Sequence, residues 1–297
     1  MKNSFIINLI LILVFFQNIL NAEVFNIESS KIKIKDKGNI TEATNGVRVT
    51  SDNEIEITGQ NLIYDRNKSI LKIFGDVVIN DKKNKIETQG KEYIYFKKEE
   101  RIVSSGKTIS NINNKFTIES VNLVYDRNSS EIYSENKTKI EDNNNIFYVE
   151  KFKLNSETNL LKAKNLTLFD NKKNQYFLNF ALVDLKENKF LGSDISIDFE
   201  DSLFGNNENN PRLKGNSLIA ENNTSTVFNG TFTTCNQKED SCPPWAIYAD
   251  EVIHKKSEKK IEYKNAWLKI YDKPVLYFPY FFSSRSNCKT SIWLFNA

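Results

Sequence analysis

Leu62-Ile63-Tyr64-Asp65-Arg66-Asn67 returns as Leu123-Val124-Tyr125-Asp126-Arg127-Asn128, with a looser copy, Tyr93-Ile94-Tyr95-Phe96, between them. Tyr64, Tyr95 and Tyr125 stand about 30 residues apart, a period that belongs to stacked structural repeats. Aligned on this phrase, three blocks begin at Ile55, Ile86 and Phe116, and each opens on an alternation: Ile55/Ile57, Ile86/Thr88, Phe116/Ile118. Period two over four to six residues marks a strand with one buried face. Each block holds about three such runs between polar turns, so the expectation is a ladder of short antiparallel strands. The Asp65-Arg66 and Asp126-Arg127 pairs fall where a strand ends and are read as a repeated turn, because Asp and Asn favour turns.

The pattern extends on both sides of the blocks. Ile32/Ile34 alternate before the turn cluster Asp36-Lys37-Gly38-Asn39, and Phe147/Val149, Leu161/Ala163, Phe177–Val183 and Ile195/Ile197/Phe199 continue it downstream. Apolar residues at helical spacing are not sustained over any window of a dozen residues. No proline lies between Glu23 and Asn210, as suits backbone N–H groups committed to a sheet. The fold class read from this is all-β.

Bulk chemistry narrows the function. The 41 basic and 38 acidic residues leave a net charge of +3. Lys and Glu are interspersed, so no basic stripe for nucleic acid is expected. A single histidine, His254, reads as a surface or turn residue with no nucleophile placed beside it, and no catalytic residue is nominated. No cofactor and no metal site are expected.

Residues 1–22, with Lys2, the apolar run Phe5–Phe16 and Ala22 before the cleavage point, have the form of a secretory signal peptide. In that exported setting Cys235 and Cys242, seven apart with a polar interval, are read as a disulfide closing a small loop. A zinc site and a redox pair are the weaker alternatives. Cys288 is left without a partner. Gly205–Pro211 is a loop taken as the boundary between a ladder (23–205) and a different C-terminal part (206–282), before an atypical tail (283–297).

The phrase Thr234-Cys235, then Pro243–Ala249 with its Trp245, Val252-Ile253-His254, Asn265–Lys269 and Lys273–Phe281 resembles the end of the periplasmic domain of the LptD (organic solvent tolerance) family of lipopolysaccharide-assembly proteins. The preceding ladder is similar to the OstA-like domain. The resemblance implies an open β-jellyroll, a V-shaped antiparallel ladder whose greasy groove carries lipopolysaccharide acyl chains across the periplasm towards the outer membrane. Its implied partners are lipopolysaccharide, a periplasmic bridge protein joined by edge-strand addition, and the barrel's outer-membrane lipoprotein where a barrel exists. Family members continue into a transmembrane barrel, whereas here Phe281-Phe282 runs into Ser283–Ala297, so the chain is read as truncated before it.

The implied groove is lined by Ile57, Ile63, Ile73, Val77, Ile79, Ile86, Phe116, Ile118, Val124, Phe147 and Val149, with the choice between the two strand registers left open. A β-solenoid adhesin is the alternative of a different class, and it predicts closed coils.

Overall fold

The computed structural model describes residues 25–284, apart from 52–53, 143, 172, 188, 201–209, 236–243, 256 and 259. Twenty strands are formed among the described residues. The first six are long: β1 (Asn26–Lys35), β2 (Ile40–Ser51), β3 (Ile55–Asp65), β4 (Ile70–Asp81), β5 (Ile86–Phe96) and β6 (Arg101–Ile112). Six short ones follow: β7 (Phe116–Val121), β8 (Val124–Asp126), β9 (Glu131–Ser134), β10 (Thr138–Glu141), β11 (Ile146–Val149) and β12 (Lys151–Asn155). The ladder then returns to long strands in β13 (Leu160–Phe169), β14 (Gln175–Asp184), β15 (Lys189–Asp198), β16 (Arg212–Glu221), β17 (Thr224–Thr233), β18 (Trp245–Lys255), β19 (Lys260–Ile270) and β20 (Lys273–Ser284). Among the described residues helix is limited to single 3-10 turns at Asp36–Gly38 and Lys97–Glu99.

Each rung pairs antiparallel with the next, giving one meander from β1 to β20. The short strands are halves of single rungs. β6 pairs with both β7 and β8, β10 and β9 lie beside them, and β13 closes on both β11 and β12. Each repeat block is therefore two rungs of the ladder, two long strands in the first two blocks and four half-strands in the third, not three short strands. The short apolar runs in the sequence are half-strands separated by a corner.

The corner has a local cause. Register shifts occur halfway along successive rungs, between Thr44 and Val47, Thr58 and Asn61, Phe74 and Val77, and Gly90 and Glu92. The same level carries residues with positive φ: Asn45 and Gly46, Gly75 and Asp76, Gly106, Asn122, Asn165, Asp194, Asn229 and Asn265. Gly, Asn and Asp tolerate the left-handed region that a bulge requires, and a bulge bends the strand and frees one residue from the ladder. Stacked at one level, these bulges fold the whole sheet into two walls.

That the walls meet is seen within a single strand. Thr88 and Tyr93 both belong to β5, and five extended residues span about 17 Å, yet their hydroxyls lie 2.8 Å apart. The core is the seam between the walls, with Ile55, Ile57, Leu62, Leu71, Ile73, Ile79, Ile102 and Ile118 essentially fully buried. Burying each such side chain contributes about 1.5–3 kcal/mol.

One row of turns carries the repeated phrase. Arg66 N donates to Asn39 O, Lys97 N to Ser69 O, Arg127 N to Glu100 O, Ser156 N to Ser130 O and Leu185 N to Asn159 O, at 2.8–3.0 Å. Asp65 and Asp126 act as turn residues, each accepting at 3.0 Å from the backbone N–H three residues on, Lys68 and Ser129. The ladder does not end at the expected boundary near residue 205. β15 and β16 pair from Phe190↔Ala220 to Asp198↔Arg212, and the meander runs on to β20.

The corners supply a stability test. Gly75 has φ +85°, and a Cβ on it would lie 2.7 Å from Gln60 Cβ, whereas Gly106 has φ +82° with nothing within 4 Å. Gly75→Ala is expected to cost about 2–3 kcal/mol and Gly106→Ala about 1 kcal/mol, because only the first adds a clash to the backbone strain. Urea unfolding of the two variants checks the difference.

Candidate functional site

The inward seam is the candidate site. Of the residues expected to line it, Ile57, Ile73, Val77, Ile79, Ile86, Phe116, Ile118, Phe147 and Val149 are buried on the inner face. Two are not. Ile63 is 39% exposed opposite Lys72, and Val124 is half-buried opposite Tyr133, both on the outer face. A bulge of one residue changes the parity of the inward register in some strands: Ile55 and Ile57 give way to Leu62 in β3, and Ile118 and Ser120 to Leu123 and Tyr125 across β7 and β8, while β4 keeps its parity from Ile73 to Val77. Alternation carried straight through the corner therefore missed Leu62, Tyr93, Tyr95 and Tyr125. The signal that finds them is the Gly or Asn at the break in period.

Between β5 and β9 the seam is filled by its own side chains. The space bounded by Thr88, Tyr93, Ser110 and Tyr125 amounts to about 10 Å³, room for no more than one water. Tyr93 OH meets Thr88, which accepts from Ser110 Oγ at 2.7 Å, and burial raises the Tyr93 pKa to about 12. At the ends the inner face is open. Ile32 and Ile34 on β1 pair with the inward Ala43 and with Thr41, yet stand 44% and 70% exposed. Leu276 and Phe278 on β20 pair with Leu268 and the buried Ala266 and are also exposed. Phe281, beside them, stacks on Tyr263 at 4.4 Å. The segment Lys273–Phe282 is thus an apolar last strand whose outer backbone edge carries no partner strand among the described residues.

The mouth of the V, where the two rows of turns face each other, is tied by a buried ionic cluster. Arg127 leaves the turn after β8 and donates from Nε to Asp81 Oδ2 at 2.8 Å, on the opposite wall. The Tyr125 hydroxyl donates to the same oxygen at 2.8 Å, and Asn84 supports it through Nδ2 at 2.8 Å and its backbone N–H at 3.1 Å. Arg127 Nη1 also meets Glu100, which accepts from the Tyr95 hydroxyl at 2.6 Å. The Arg127 side chain is 6% exposed and that of Asp81 0%. Burial alone would raise the Asp81 pKa, but the Arg127 and Asn84 hydrogen bonds outweigh it and hold the carboxyl below its ordinary value. Burial and the neighbouring carboxylates raise Tyr95 and Tyr125. The equivalent Arg66 is exposed. The two copies of the phrase make the same turn and use its arginine differently.

His254 is buried on the inner face of β18, paired with Ser225, and not at the surface as expected. Cys235 is half-buried with Sγ 3.9 Å from Trp245 O. Its expected partner Cys242 lies outside the described residues, as do Cys288 and the leader 1–22.

Residues 15–157, spanning β1 to β12, match the family model described as OstA-like protein. Among solved structures, the crystal structure of LptH from Pseudomonas aeruginosa, titled as the LptA-homologous periplasmic component of the lipopolysaccharide transport device, overlaps 48% of this chain and 82% of its own. The identity is 12% and the TM-score 0.22. No curated protein matches the sequence.

Breaking the cluster strands a buried charge. Arg127→Met is expected to destabilise by about 3–5 kcal/mol, measured by urea unfolding at neutral pH. Because the folded pKa of Asp81 is depressed, its contribution is present above the unfolded value of about 4 and is lost as pH falls through the folded value. The urea midpoint of the wild type should drop on acidification below about pH 4 more steeply than that of Asp81→Asn.

Proposed function

We propose that this chain binds the acyl chains of lipopolysaccharide along its inner seam and carries them across the periplasm, as an LptD-like periplasmic part of outer-membrane assembly. The observation that carries this reading is the apolar inner face, which runs from exposed Ile32 and Ile34 at one end to exposed Leu276 and Phe278 at the other. An inner face left open at both ends of a ladder suits a ligand that enters and leaves lengthwise. Acyl chains gain about 0.8 kcal/mol per buried CH₂ in such a seam without any bond being made or broken, so the function is binding and transfer, not catalysis. The OstA-like match over residues 15–157 supports the same class.

Among the described residues the outer edges of β1 and β20 carry no partner strand, which suits strand addition and fits the periplasmic bridge protein as a partner. The barrel's lipoprotein partner belongs to this reading only where a barrel follows. The reading includes a local Cys235–Cys242 disulfide between β17 and β18 as a proposal. A solenoid adhesin needs coils wound in one sense, and the antiparallel meander favours the jellyroll instead.

The test places a photoreactive residue at Leu276 or Phe278 and, as the outward control, at Tyr277, in a chain incubated with lipopolysaccharide. Adducts at the two inward positions and none at Tyr277 are expected. No adduct at Leu276 or Phe278 on a folded chain removes the proposal.

A further inference from the structure

The seam that would take acyl chains is packed shut between β4 and β9, and hydrogen bonds cross its mouth there. We propose that the Arg127–Asp81–Glu100 cluster is a latch: it holds the two walls together in the empty protein and must release for an acyl chain to occupy this segment. The inference rests on the lipid-transport reading and adds to it the position of the gate.

Three observations carry it. The cluster joins elements of both walls. Asp81 ends β4 on one side of the mouth, while Arg127 and Tyr125 come from the turn and strand on the other, and Asp81 Oδ2 receives both at 2.8 Å. The tie is charged and buried, with Asp81 fully enclosed, whereas the buried polar groups beside it, Thr88, Tyr93, Ser104, Thr108 and Ser110, are neutral hydroxyls. Directly inside it lies space for no more than one water, bounded by Thr88, Tyr93 and Tyr125, so a chain cannot enter this segment while the latch holds. A charged tie suits a gate better than an apolar one. Once the walls part, water solvates the separated Arg and Asp, whereas a parted apolar seam exposes its surface with no compensation. The acyl chain then covers the apolar face that opening lays bare.

The same phrase at Asp65-Arg66 makes the turn without the tie, because Arg66 is exposed. The gate thus takes its arginine from the third repeat, within the segment that matches the OstA-like family.

The experiment measures the width of the mouth in the full-length chain. Nitroxides are attached through p-acetylphenylalanine at the exposed turn residues Lys83 and Asn128, which flank the mouth on opposite walls. Their separation is read by pulsed electron resonance with and without lipopolysaccharide. The wild type is expected to shift to longer distance when lipopolysaccharide binds, and Asp81→Asn and Arg127→Lys are expected to populate the longer distance without it. Crosslinking at Phe278 in the same samples reports whether lipid is bound. A wild-type distance that stays unchanged while Phe278 crosslinks overturns the latch and leaves the transport reading standing. No crosslinking at Phe278 removes the transport reading, and the latch with it. The wild-type measurement decides the matter even if a variant fails to fold.

Discussion

The structure depends on the mid-strand bulge. A sheet of ten-residue strands with one apolar face has nothing to bury that face against when no helix covers it. Bending every strand at the same level lets the face bury itself, and the bend needs residues that accept positive φ. Gly46, Gly75, Gly106, Asn122 and Asn165 stand at that level, and Gly and Asn are the residue types that take such backbone at least cost. The ladder, the two walls, the seam and the facing rows of turns all follow from one repeated local distortion.

Because the walls belong to one continuous sheet, they are joined along the corners and free to part at the mouth. Closure there is a matter of side chains. Apolar packing supplies most of it, and its strength scales with area and not with geometry. The Arg127 cluster differs, since it joins two specific points and is satisfied only in one arrangement. On the transport reading proposed above, a closed state that is stable yet releases at a defined place serves both the empty and the ligand-bound protein. The two open ends, with Ile34 and Phe278 exposed on the inner face, complete a path whose middle is shut and whose termini are not.

Much of this was legible in the sequence. Alternation, the missing helical period and the proline-free stretch were enough for an antiparallel all-β ladder, because strand periodicity is a local property of the chain. The thirty-residue repeat located the turns, and Asp65 and Asp126 make them as their chemistry requires. Nine of the expected lining residues, Ile57 and Ile118 among them, face inward for the same reason.

What the sequence left open was decided in three dimensions. Ile63 and Val124 face outward because a bulge moves the alternation by one residue, and its position in the ladder depends on pairing with the neighbouring strand. Arg127 and Arg66 stand in identical phrases, yet one is buried against Asp81, 46 residues away in sequence, and the other lies in solvent. No local signal separates them, because the difference lies in what the opposite wall brings within reach. The sequence alone determined the kind of sheet and where it turns. The tertiary structure decided which residues meet across the seam, because long-range contact is set by how the corners stack.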